Sequence, residues 1–74
     1  MQTKFKRHES VKLLASPLEE DTEYYADPPI QIKAGMTGKV NTILSNGQYH
    51  VEILDENGET LAYVVMDEEG LEAI

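Results

Sequence analysis

Between Thr37 and Met66 apolar and polar positions alternate in short runs, and two Asn-Gly pairs interrupt them. Tyr49, Val51 and Ile53 alternate with His50, Glu52 and Leu54; Ala62, Val64 and Met66 alternate with Leu61, Tyr63 and Val65. Successive side chains of a strand point to opposite faces, so each run predicts a strand with one face in a core. Asn46-Gly47 and Asn57-Gly58 sit between such runs. A two-residue type I′ loop needs positive φ at both central positions, and Asn-Gly meets that need best. The pairs therefore predict two consecutive type I′ hairpins and a meander of strands near Thr37–Ser45, Gln48–Leu54 and Thr60–Met66. In the first of these, Val40 and Ile43 are three apart, which predicts a bulge between them, with Gly38 permitting a bend.

The flanks complete a short list of elements. Ser10–Ala15 (SVKLLA) reads as a first strand, ended by Ser16-Pro17. Asp67-Glu68-Glu69-Gly70 reads as one tight turn of 3₁₀ type leading to a last short strand, Leu71–Ile74. Between the first two strands, residues 16–36 show no sustained period and contain Asp27-Pro28-Pro29. A structureless loop of about 20 residues is unusual in a compact domain unless it is functional or folds back on itself. No segment reads as a long helix. A long loop, two hairpins, a tight turn and a short strand follow one another in the order of a small SH3-like barrel. The expected fold is therefore all-β: an SH3-like barrel of about five antiparallel strands, with a long loop between the first and second. Residues 1–9 read as a flexible basic terminus, and 10–74 as the single barrel domain.

One stretch supports this more specifically. Gly35-Met36-Thr37-Gly38-Lys39-Val40 has a Gly-x-x-Gly-x-Val pattern, in which Gly35 serves a turn, Gly38 a bend and Val40 the core. It is followed by Tyr49-His50-Val51-Glu52-Ile53, then Asp55-Glu56-Asn57-Gly58-Glu59-Thr60, then Ala62-Tyr63-Val64-Val65. This succession resembles the bacterial family called domain of unknown function 4926, over roughly residues 10–74. The sequence departs from that pattern at Lys39, where the family often has Thr, and in a longer, Tyr-rich loop at 16–34. The resemblance implies the SH3-like fold through structural positions and carries over no catalytic residue. The E subunit of photosystem I and the KOW domains of ribosomal and transcription proteins are similar at the level of architecture, which does not transfer function.

Composition narrows what such a domain can do. At 74 residues the chain is one domain, near the size at which folding buries only about 60% of the unfolded surface, so a deep substrate cavity is not expected. Without cysteine, neither disulfides nor thiolate metal sites can brace it. No stretch is long and apolar enough for a signal peptide or membrane span, so a cytoplasmic location without membrane association is the expectation. Residues 1–14 hold Lys4, Lys6, Arg7 and Lys12 against Glu9, whereas residues 15–74 hold two lysines against thirteen acids, within a net charge of −8. Such a surface repels phosphate backbones, so nucleic acid is not the expected partner. The acid serves solubility, or else attraction to a basic partner.

Candidate chemistry is sparse. His8 and His50 lie apart and form no zinc-ligand cluster, and Asp55-Glu56-Asn57-Gly58-Glu59 lacks the spacing of a calcium loop. No nucleophile with a neighbouring base is identifiable. No catalytic, cofactor-binding or metal-binding residue is assigned. The 16–34 loop stands out instead, because Tyr24, Tyr25, Pro28, Pro29 and Ile30 put apolar area on a connection that is ordinarily polar. Tyrosine suits recognition because it joins contact area to a hydroxyl; equally, one of the two tyrosines could close an open end of the barrel. The leading expectation is a non-enzymatic protein-interaction module, monomer or weak dimer, docking a protein partner through this loop. A KOW-like domain binding RNA or the ribosome and an immunity or antitoxin-like protein covering a basic toxin are the alternatives.

Overall fold

In β-structure the hydrophobic stripe of each strand must find a neighbour, and here a single curved sheet supplies it. The computed structural model describes residues 4–74, so Met1–Thr3 of the expected basic terminus lie outside the described residues. Its strands are β1 (Ser10–Leu13), β2 (Thr22–Tyr24), β3 (Thr37–Ile43), β4 (Tyr49–Leu54), β5 (Thr60–Met66) and β6 (Leu71–Ala73). All pairings are antiparallel, in the order β2-β5-β4-β3-β1-β6. The only helical segments among the described residues are 3₁₀ turns at Glu19–Asp21 and Glu68–Gly70.

The fold is all-β, with six strands where about five were expected. The additional strand is β2, inside the segment read as irregular loop. It pairs with the outer edge of β5 in the register Thr22↔Val64, Glu23↔Tyr63 and Tyr24↔Ala62.

The two hairpins occur where the Asn-Gly pairs predict them, but not as type I′ turns. Gly47 and Gly58 have positive φ (90° and 81°), whereas Asn46 and Asn57 do not. Gly47 N–H donates to Leu44 O (3.0 Å) and Leu44 N–H to Gln48 O (2.8 Å); Gly58 to Asp55 (3.0 Å) and Asp55 to Glu59 (2.9 Å) repeat the pattern. This is a three-residue loop, a type I turn followed by a left-handed glycine in a bulge. Side chains favour it: Asn46 Oδ1 accepts Gln48 N–H, and Asp55 Oδ1 accepts both Asn57 N–H (2.8 Å) and Glu59 N–H (2.9 Å). Asp55→Ala strips both bonds, and we expect a loss of about 1 kcal/mol in urea unfolding.

The anticipated bulge is present, since the β3–β4 register shifts between Val40 and Thr42. Around this bend the core gathers Val11, Leu13, Val40, Tyr49, Val51, Ile53, Val64 and Leu71, each no more than 1% exposed.

Phe5 joins this core, so the domain boundary drawn at residue 10 leaves out a core residue. Its ring meets Tyr49 edge-on, with centroids 5.4 Å apart and planes at 78°. The backbone N–H groups of Lys4 and Phe5 donate to Tyr49 Oη at 3.1 and 3.3 Å, and that hydroxyl donates to Glu68 Oε2 at 3.3 Å. His8 N–H donates to Val40 O, and Val40 N–H to Glu9 O, so residues 5–9 are fastened to β3 beside its bulge. A buried phenol needs a partner for its hydroxyl, and this segment supplies donors to it.

Candidate functional site

The 16–34 loop is a folded-back arm, fixed at several points. Thr22 Oγ1 donates to Leu18 O (2.8 Å), closing the 3₁₀ turn that leads into β2. At the far end of β2 the N–H groups of Tyr25 and Ala26 both donate to Leu61 O, at 3.0 and 3.1 Å. The chain then turns through Asp27–Ile30, buries Ile32 in the core, and returns to β1 through Gly35 N–H donating to Leu13 O (2.8 Å) and Ala34 N–H donating to Ser16 Oγ (3.1 Å).

Strand alternation separates the two tyrosines. Tyr24 is half-buried against the core, its hydroxyl donating to Glu19 at 2.7 and 2.8 Å. That hydrogen bond holds the phenol above its ordinary pKa, with partial desolvation and the Glu19 charge adding to it. Tyr25 points outward and is 68% exposed. With Pro28 and Ile30 it faces Gly58, Glu59, Thr60 and Leu61 of the β4–β5 hairpin across an open groove of about 650 Å³. Asp27, Asp55 and Glu59 stand along that groove. Pro29 belongs elsewhere, in a shallow depression with Glu19, Tyr24 and Gln31. The structure thus brings Tyr25, Pro28 and Ile30 together and leaves Tyr24 and Pro29 outside the groove.

Two further aromatic side chains extend the surface. The His50 ring stacks on Tyr63 at 5.2 Å with planes 6° apart, and Tyr25 meets Tyr63 edge-on at 6.3 Å. Asn41 Nδ2 lies 3.0 Å from His50 Nδ1. Glu52, opposite Tyr63 in the sheet, accepts hydrogen bonds from Thr60 (2.7 Å) and Tyr63 (3.2 Å). Its carboxylate charge is the main influence raising the Tyr63 pKa; desolvation and the shared hydrogen bond act the same way, and Thr60 opposes them. Sequence reasoning assigned these residues only to strand faces. Their neighbours follow from the hairpin register, which pairs His50 with Val65 and Glu52 with Tyr63.

Chemically the arrangement offers contact area, π-faces and carboxylates on an open surface. Among the described residues no group of three or more His, Asp or Glu side chains is placed to hold a metal ion. No helix among them is long and apolar enough to cross a membrane. Comparison with protein-family models, curated proteins and solved structures found no match.

Proposed function

We propose that the protein is a non-enzymatic protein-interaction module built on an SH3-like barrel, and that it docks a partner through the 16–34 loop and the adjoining face of β5. Support for the barrel comes from strand order. Leaving out β2, the sheet runs β5-β4-β3-β1-β6, with a long folded-back loop between β1 and β3, tight hairpins at both ends of β4 and a 3₁₀ turn before β6.

Support for docking rests on one observation: Tyr25 is held outward on backbone anchored to Leu61, beside Pro28 and Ile30, in a groove that none of the described residues fills. Loops fixed on a rigid scaffold are where binding residues concentrate. Exposed apolar area is ordinary when scattered, but here three such residues converge on one groove.

The test separates the two tyrosines. In affinity capture followed by mass spectrometry, Tyr25→Ala with Ile30→Ala should lose the partner that wild type retains, while the melting temperature falls by no more than about 3 °C. Tyr24→Ala should instead lower stability by roughly 2 kcal/mol through lost burial. Retention of the partner by the Tyr25/Ile30 variant would refute docking at this site. An antitoxin-like role would use the same acidic surface against a basic toxin. The RNA-binding alternative has less to stand on, because no Lys or Arg lines this groove.

A further inference from the structure

Uncompensated charge around the groove carries the docking proposal one step further. Of the chain's cations, Lys4, Lys6, Arg7, Lys12, Lys33 and Lys39, none lines the Tyr25 groove. None lines the neighbouring depression of Glu20, Glu23, His50 and Tyr63, or the one beside Leu18, Asp21, Asp67 and Glu69. Among the described residues the one ion pair is Lys12–Glu72 (3.3 Å), on β1 and the edge strand β6, at the opposite end of the sheet from β2. Among the described residues, therefore, Asp27 and Glu59 meet no cation at the groove. Asp55 differs, because its Oδ1 is occupied by backbone N–H groups of the turn.

We infer that the groove accepts an extended, cationic peptide segment in which Lys or Arg alternates with apolar residues. This rests on the docking reading above and specifies its ligand.

The chemistry follows from the lining. Tyr25, Pro28, Ile30 and Leu61 give it apolar area, and Asp27 and Glu59 add carboxylates to the same groove. In an extended peptide successive side chains point to opposite sides, so an apolar residue can enter the groove while its neighbours turn outward. Long cationic side chains reach carboxylates from there, and Arg can also lie on the exposed Tyr25 ring. The net charge of −8 disfavours a second copy of this chain as occupant and accelerates encounter with a basic one.

The experiment pans a random peptide display library on the full chain at about 50 mM salt and measures the recovered peptides by fluorescence anisotropy. The proposal expects sequences alternating Lys or Arg with apolar residues. Their Kd should rise about tenfold or more for Tyr25→Ala, and again for Asp27→Asn with Glu59→Gln. The equal charge change Glu69→Gln with Glu72→Gln should alter it less than about twofold, as rim charges far from a contact do. Equal weakening by both charge pairs would overturn the inference, since only diffuse attraction to polycations would remain. Neutral or acidic peptides sensitive to Tyr25→Ala would overturn it and leave the docking reading standing. If no recovered peptide responds to Tyr25→Ala, both fall.

Discussion

Gly38→Ala should abolish the folded state. Gly38 lies in the middle of the sheet, paired to Val11 of β1 on one side and to Ile53 of β4 on the other. A Cβ built there would collide with the carbonyl oxygen of Glu52 and crowd its carbonyl carbon (2.9 Å) and Ile53 Cα (3.0 Å). All three are backbone atoms of a paired strand, so nothing can swing aside; β3 would have to leave β4, and the bulge at Val40/Thr42 would lose its register. We expect a cost above about 4 kcal/mol, the range reached only by severe steric or core lesions. A small domain has total stability toward the low end of about 5–15 kcal/mol, so amide dispersion in a ¹H–¹⁵N spectrum should collapse. Gly70→Ala is the control, because its Cβ would meet only Met66 Cε (2.7 Å), the movable tip of a flexible side chain. A folded Gly38→Ala protein with a near-native melting temperature would show that β3 and β4 are not this closely apposed.

Phe5→Ala should be the next most damaging change, at about 3–5 kcal/mol in urea unfolding. The ring is 1% exposed and packs edge-on against Tyr49 in the core. Losing it opens a cavity against the largest buried side chain. It also loosens the segment whose N–H groups satisfy the Tyr49 hydroxyl, adding a polar penalty to the apolar one. Lys6→Ala, exposed in the same segment, should change stability by no more than about 0.5 kcal/mol. Equal, small effects from both substitutions would mean that residues 4–9 contribute little to the fold.

These two residues illustrate what was legible in the sequence. Gly38 and the uneven spacing of Val40 and Ile43 announced a bend and bulge because they break a period that the surrounding residues keep. The meander and the 3₁₀ turn were legible for the same reason, period-two runs separated by strong turn residues. Phe5 was not: one aromatic residue among Lys4, Lys6 and Arg7 has no period, and charge dominates any reading of the segment. β2 escaped because Thr22–Tyr24 is too short to alternate more than once, and its pairing with β5 depends on a distant strand.

Turn type was not legible because Asn-Gly satisfies two different loops. In the second hairpin Asp55, two residues before the pair, favours the longer loop by capping it, and in the first Asn46 Oδ1 accepts the Gln48 N–H. At the candidate site, the apolar loop residues were visible as composition, but which tyrosine faces out was not. That depends on which face of β2 meets the core, and Tyr63 and His50 became their neighbours only once β4 and β5 were in register.

The pairing of β1 with β6 has a kinetic side. β3, β4 and β5 join through short loops, so their hairpins can close early at little entropic expense. β1 must find its partners across the whole intervening chain, at Val11↔Ala73 and Leu13↔Leu71. The β1–β3, β1–β6 and β2–β5 pairings all join residues far apart in sequence, which places the molecule among topologies that fold in roughly milliseconds to seconds rather than microseconds. Until β6 arrives, the outer edge of β1 stays without its strand partner; once β6 pairs, the edge passes to a strand of only three residues, a shorter template for other chains.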